Sequence, residues 1–218
     1  MECRKCKSQT IVKNGKSKLG IQRFYCKNCH HSFPEDYHYG SCRVSNEQII
    51  LLLKESCGIR GIGRILEISP NTVIRRILKI ARTAKRSAPI SLGQSYQVDE
   101  LFTYVGNKNN RFCIAYSFNP ENKEVIDLVV GRRNKTNLTK IISTLLLADA
   151  KRIVTDKLNI YEELIPKEIH STKNRGINHI ERQNLTLRTH LKRLNRRTIC
   201  YSKSLAMLLA VVKIYCWR

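Results

Sequence analysis

Apolar positions along this chain follow two periods, and the places where the period changes divide it. From residue 45 they fall three and four apart, at Ile49, Ile50, Leu52 and Leu53, as one face of a helix requires. Ser45 or Asn46 caps this helix and Cys57-Gly58 ends it. Residues 60–66 form a short second segment, 67–70 a turn, and a further helix runs from Asn71 to about Lys85. Its apolar positions Val73, Ile74, Ile77, Leu78 and Ile80 face inward, and Arg75, Arg76, Lys79 and Arg82 lie outward. Ser69 is a suitable N-cap and Pro70 takes the first helical position, where a missing N–H costs nothing.

After a linker over residues 87–94, containing Pro89 and Gly93, the period drops to two. Alternation predicts strands over 96–105, 111–118 and 125–130, with turns at 106–110 and at Asn119-Pro120. Helical spacing returns over 135–148, through Leu138, Ile141, Ile142, Leu145 and Leu146. A short buried strand over 152–155 ends at Asp156, and a helix over 159–164 follows. Another helix spans 177 to about 194, with its stripe at Ile180, Leu187, Leu191 and Leu194. Three antiparallel strands, a helix, a strand and further helices are the element order of a ribonuclease H-like fold. The expected class is therefore α/β, with that domain over 95–218 and a helical domain over 45–86. The apolar run of residues 205–212 breaks at Lys213, so it predicts a packed helix rather than a membrane span.

Charge and cysteine content change the picture. Forty Lys and Arg face seventeen Asp and Glu, a formal net charge of +23. The excess is distributed: residues 1–92 carry 18 basic and 6 acidic side chains, and residues 93–218 carry 22 and 11. A self-repulsion of that size points to a polyanionic partner along both halves. The N-terminal residues carry no apolar signal region, so a reducing cytoplasmic setting is expected, nucleoid-associated and without a membrane. There the nine cysteines are metal ligands or core residues rather than disulfides.

Cys3-x-x-Cys6 and Cys26-x-x-Cys29 put two pairs of thiolates on tight turns, which together close a tetrahedral site for structural Zn²⁺. Strands at 10–12 and 20–25, joined through a turn at Asn14-Gly15, would make residues 1–40 a zinc ribbon. His30 and His31 are surplus to a filled shell. The remaining cysteines, Cys42, Cys57, Cys113, Cys200 and Cys216, are expected as core or surface thiols. Behind the ribbon, the short helix, tight turn and basic helix match a helix-turn-helix, which would carry Ser69, Asn71, Thr72, Arg75 and Arg76 to DNA. An ordinary helical hairpin has the same pattern, and the ribbon and the charge favour DNA reading.

Three carboxylates stand out in the second half. Asp99 lies mid-strand, Asp156 ends a buried strand, and Glu181 is the only acid in the last fifty residues. Hard carboxylate oxygens in a DNA-binding chain suit Mg²⁺ or Mn²⁺. Glu100 follows Asp99 and so points to the opposite face, and Asp127 is expected to be structural.

At these residues the chain resembles the insertion sequence 1 family of bacterial transposases, of the Asp-Asp-Glu type. The resemblance rests on Val98-Asp99-Glu100, on Thr155-Asp156 with 24 residues before Glu181, and on residues 180–185 with Leu187-Arg188. Tyr104-Val105-Gly106, Tyr161-Glu162 and residues 201–204 match as well. It implies a metal-binding triad of Asp99, Asp156 and Glu181, with Arg188 near the DNA. It also implies cleavage at the ends of an insertion sequence, joining of the 3′-hydroxyl to target DNA, and an oligomer of at least two copies on double-stranded DNA. The founding members join their two parts by ribosomal frameshifting, whereas this chain is continuous. Two rival readings are a non-catalytic DNA-binding regulator and a structure-specific nuclease of the same fold.

Overall fold

A computed structural model describes residues 1–18, 20–35, 44–86, 90–172 and 177–218. Cys42 and Pro89 of the sequence reading lie outside the described residues. The chain divides into two compact units, Met1–Arg43 and Val44–Arg218.

In the first unit β1 (Ile11–Lys16), β2 (Gln22–Cys26) and β3 (Ser32–Pro34) form one antiparallel sheet in that order. The expected turn at Asn14-Gly15 is instead a bulge inside β1. Lys13 pairs with Phe24 but Lys16 pairs with Gln22, and Gly15 takes the extra residue at φ +65°. Reversal comes later, where the Ser17 N–H donates to the Ile21 carbonyl at 2.8 Å. The unit's buried apolar cluster is Cys3, Cys26 and Phe33, too small a core to fold on burial alone.

The second unit opens with α1 (Asn46–Lys54), α2 (Ile59–Ile65) and α3 (Pro70–Thr83). Ser45 and Gln48 form a reciprocal capping box on α1, and the Ser69 hydroxyl accepts the Thr72 N–H on α3 at 3.1 Å. The α2–α3 turn is tight. A Cβ on Gly63 would stand 2.9 Å from the Ile68 carbonyl oxygen.

There follow β4 (Ser95–Val105), β5 (Asn107–Asn119), β6 (Glu124–Gly131), α4 (Lys135–Leu147), β7 (Arg152–Val154), α5 (Asn159–Leu164), β8 (His170–Ser171), α6 (Asn178–His190) and α7 (Leu205–Trp217). The sheet order is β6-β5-β4-β7-β8. The first three strands are antiparallel neighbours, and β7 and β8 run parallel to β4. The fold is therefore mixed α/β. The expected turn at 106–110 becomes an irregular start to β5. Val105 pairs with Asn107 while Tyr104 pairs with Arg111, and the Asn107 side chain accepts the N–H groups of Asn109 and Asn110. The two-residue β8 had no sequence signal, and the long helix expected over 177–194 ends at His190 and passes into a single 3-10 turn, Lys192–Leu194.

Helices α4 and α5 cover one sheet face through Leu138, Ile141, Leu145 and Tyr161 against Tyr96, Val98 and Ile126. The other face packs on α6 and α7, and α1 to α3 join that same cluster through Ile49, Val73 and Ile77. The helical segment and the sheet thus share one core. The apolar run foreseen at 205–212 is α7, buried or half-buried from Met207 to Trp217, with the Trp217 indole N–H on the Val125 carbonyl at 2.9 Å. No helix among the described residues is long and apolar enough to cross a membrane.

The glycines of α2 make a paired test. Gly63→Ala should cost about 1–3 kcal/mol in urea unfolding of the full chain, because backbone must shift. Gly61→Ala, with nothing within 4 Å of the new Cβ, should be neutral or stabilise by up to about 1 kcal/mol. Equal effects at both positions would refute the tight α2–α3 turn.

Candidate functional site

The four cysteines meet. Their sulfurs all lie within 4.8 Å of one another, with Cys3 to Cys29 at 3.5 Å and Cys6 to Cys26 at 3.6 Å. The two knuckles repeat one backbone device. The Lys7 N–H donates to the Cys3 carbonyl and the His30 N–H to the Cys26 carbonyl, and Lys7 and His30 both adopt left-handed φ near +58°, at 59° and 57°. Backbone N–H groups aimed at sulfur, that of Cys6 foremost, lower the Cys3 thiol to about 6. Burial instead pushes Cys29 up to about 12. Thiols held this close, one already favouring thiolate, fit a tetrahedral metal ion. Both histidines are otherwise engaged: His30 Nδ1 lies 2.6 Å from the Tyr25 hydroxyl, and the His31 ring stacks on Phe33.

Asp99 and Asp156 are brought together by strand register. Gln97 pairs with Val154 in the parallel β4–β7 ladder, so two residues further on Asp99 and Asp156 stand side by side at the end of β7. Helix α6 docks on the same face: the Ile180 N–H donates to Gln97 Oε1 at 2.7 Å, and Asn184 Nδ2 donates to Asp99 Oδ2 at 2.6 Å. The Tyr116 hydroxyl, opposite Asp99 on β5, donates to Asn184 Oδ1 at 2.9 Å and fixes the amide's orientation. Asp99 Oδ1 accepts the Glu100 N–H at 2.7 Å, and Asp156 Oδ1 accepts the Leu158 N–H at 3.2 Å.

Glu100 is the residue that sequence reasoning missed. Strand alternation does send it to the other face, where the Tyr161 hydroxyl of α5 donates to it at 2.7 Å. Yet carboxylate oxygens of Asp99, Glu100 and Asp156 all lie within 4.8 Å of one another. The pairing of β7 with β4 ends at Val154, level with Gln97, so no further ladder pair separates the two faces beside Glu100. Glu181 is exposed in the first turn of α6, one residue after the Ile180 anchor, and its charge acts on Asp99. Burial raises the Asp99 carboxyl, with Asp156 and Glu181 adding to the shift against the Glu100 N–H and Asn184. Burial also raises Glu100, and Asp156 and Asp99 add to it against Tyr161 and Arg133. Crowded, half-desolvated carboxylates of this kind are relieved by a divalent cation. Asp127 stands apart: the Thr144 hydroxyl of α4 donates to it at 2.7 Å, a bond that ties helix to sheet.

The residues expected to touch DNA differ in state. Ser69 and Thr72 are tied together in the cap of α3, hydroxyl to hydroxyl at 2.8 Å, while Asn71 and Arg75 are exposed. Arg76 Nη1 and Arg188 Nε are enclosed without a hydrogen-bond partner. Burial lowers the Arg188 guanidinium, as does Arg196, while Asp99 pulls the other way.

A family model described as IS1 transposase matches residues 94–217, and one for the InsA N-terminal domain, a zinc ribbon, matches residues 1–30. The chain belongs to the IS1 transposase family. The IS1 match spans Asp99, Glu100, Asp156 and Glu181, and the ribbon match spans the four cysteines. Among related proteins, the iso-IS1n protein InsB of Shigella dysenteriae is 32% identical over 108 residues, covering 50% of this chain and 82% of its own. The IS1 protein InsB of Shigella sonnei is 33% identical over 111 residues, covering 51% and 85%. Among solved structures, the HTLV-2 integrase catalytic core domain with magnesium, in a trimeric form, aligns at TM-score 0.37 with 14% identity, covering 59% of this chain and 86% of its own. A simian T-cell lymphotropic virus intasome with the PP2A regulatory subunit B56 gamma aligns at TM-score 0.37 and 14% identity, covering 75% and 66%.

The raised Asp99 and Glu100 carboxyls set a pH dependence. A carboxyl whose folded pKa exceeds its unfolded value gives stability that is present below the unfolded value, near 4, and lost as pH rises through the folded one. Melting of the IS1 family chain without Mg²⁺, its zinc retained, should therefore fall across that window, and Mg²⁺ at neutral pH should restore it. In Glu100→Gln, which can still accept from Tyr161, both the fall and the Mg²⁺ gain should shrink. Melting curves identical to wild type would show that Glu100 is outside the cluster in solution.

Proposed function

We propose that this IS1 family chain is a DNA transposase that cleaves DNA at the ends of an insertion sequence and joins the freed 3′-hydroxyl to target DNA. The observation that carries this reading is the placement of Asp99 and Asp156 side by side at the end of a parallel strand pair, with Glu181 on the helix docked against them. The sheet order, with the first meander strand flanked by the second and by a parallel strand, supports a ribonuclease H-like fold for residues 95–218. Residues 45–86 would act as the helix-turn-helix and 1–40 as the zinc ribbon, joined to the catalytic part by 87–94.

The oxygen-only cluster of Asp99, Glu100 and Asp156 fits Mg²⁺ or Mn²⁺, with Glu181 as the third residue of the triad. When bound, such ions supply Lewis-acid polarisation of a phosphodiester and charge for the leaving oxygen. The protein's own part is positional. Asn184 and the Glu100 N–H each hold one oxygen of Asp99, and Tyr161 holds Glu100. Gln97 fixes the start of α6 through Ile180, and so fixes Glu181. Arg188, close enough to act on Asp99, would neutralise the phosphate addressed there. Water attacks a phosphodiester at the element end and releases a 3′-hydroxyl. That hydroxyl then attacks a target phosphodiester, forming one new bond and releasing one target 3′-hydroxyl.

Asn71, Thr72, Arg75 and Arg76, at the N-terminal end of α3 behind the Ser69 cap, would read the terminal inverted repeats in the major groove. Zn²⁺ would hold Cys3, Cys6, Cys26 and Cys29 and supply the folding free energy of the ribbon. Pairing two ends requires at least a dimer.

Mapping of 3′ ends after incubation with end-containing DNA and Mg²⁺ tests the reaction. Wild type should cut at the element end, and Asp156→Asn should lose roughly 100-fold or more, the several kcal/mol that metal ligation supplies. Specific binding without any cut by wild type would favour a regulator, and undiminished joining by Asp156→Asn would remove it from the triad. For the ribbon, one zinc per chain is expected from the four-cysteine set, and none in Cys26→Ser. Amide protection should then vanish in Met1–Arg43 and persist in Val44–Arg218. Retained zinc in Cys26→Ser would overturn the ligand set.

A further inference from the structure

Alternation along β4 sets Glu100, Phe102 and Tyr104 on one face, and their partners on β5 are Ala115, Cys113 and Arg111. The Arg111 guanidinium lies over the Phe102 ring, 4.0 Å from its centroid, and that of Arg133 approaches the same ring at 5.5 Å. Two hollows meet at this pair. One, of about 380 Å³, is lined by Phe102, Tyr104, Arg111, Arg188 and Arg196. The other, of about 340 Å³, lies on the far side of Phe102 and Arg111, toward Arg133. Neither lining contains a carboxylate, and none of these arginines forms an ion pair with an acid among the described residues. Arg188 Nε is enclosed and unpartnered within it.

This shelf adjoins the carboxylates. Phe102 is two residues from Glu100 on the same face. Arg133 acts on Glu100 and Arg188 on Asp99. Unsatisfied guanidinium groups attract phosphates, and an aromatic ring topped by a guanidinium plane is a surface on which an unpaired base stacks. A base inside duplex DNA offers no free face to such a ring. Each hollow is within the size range of small-ligand sites, roughly 300 Å³ and above.

Resting on the transposase reading, we propose that Phe102, Tyr104, Arg111 and Arg133, with Arg188 and Arg196, bind the unpaired nucleotides next to the phosphodiester that the acids address. A base stacks on Phe102 and Arg111, and flanking phosphates lie against the remaining arginines. The ligand is single-stranded DNA at the element end.

The test uses the full chain and an end-containing duplex with a short unpaired 3′ extension carrying 5-iodo-2′-deoxyuridine. Irradiation without added Mg²⁺ or Mn²⁺, and with the zinc left in place, should crosslink it to the peptide holding Phe102 and Tyr104. Phe102→Leu should weaken binding of the extension roughly tenfold and abolish that crosslink, while Phe102→Tyr keeps both. Arg111→Gln should lower the slope of log affinity against log salt by about 0.7, one phosphate on a single strand. Crosslinks confined to residues 1–86, or equal affinity in Phe102→Leu and wild type with matched melting, would overturn the shelf. Cleavage is scored separately: a crosslink at Phe102 without cutting by wild type would leave the shelf standing and sink the transposase reading. Cutting without the crosslink would do the reverse.

Discussion

The ladder between β4 and β7 is short, with Gln97 and Val154 as its last pair, and the candidate chemistry depends on where it stops. Parallel pairing places residues of equal offset on the same side, so Asp99 and Asp156 become neighbours without any contact between their own backbones. Ending the ladder two residues before the acids leaves their side chains at an open strand end, where carboxylates gather at tolerable cost. Extension of the same sheet by β8 and burial of both faces hold this register in place.

Around that register, each acid has its own support from a different element. Asn184 on α6 and Tyr116 on β5 orient Asp99, Tyr161 on α5 orients Glu100, and the chain after β7 holds Asp156 through Leu158. The helices over Pro70–Thr83 and Leu205–Trp217 belong to the same core, so the segment proposed to read DNA packs in one cluster with the strand that carries Asp99. Met1–Arg43 is built on a different principle. With Phe33 its one large buried side chain among the described residues, it relies on four converging sulfurs rather than on a core.

The basic residues fall into two roles that charge alone does not separate. Arg75, Arg111 and Arg133 are all exposed, but Arg75 stands on α3, whereas Arg111 and Arg133 lie by the ring of Phe102. A net charge of +23 points to a polyanionic partner. The pairing of guanidinium with ring is what the proposal of an unpaired base rests on, since stacking needs a free base face.

Much of this was legible in the sequence because it is local. Two C-x-x-C pairs announce a metal knuckle, Ser45 and Ser69 announce helix starts, and an acid at mid-strand or strand end announces Asp99 and Asp156. Each signal spans a few residues, over which backbone geometry fixes the outcome. Tertiary structure decided what no local pattern carries. Periodicity gave Glu100 its face but not the point where β7 ends, and only that point lets its oxygen approach the other two. The bulge at Gly15 replaced an expected turn because pairing with β2 continues past it. Register, strand length and shared cores are set by contacts between residues far apart in the chain, so they exist only once the chain has closed on itself.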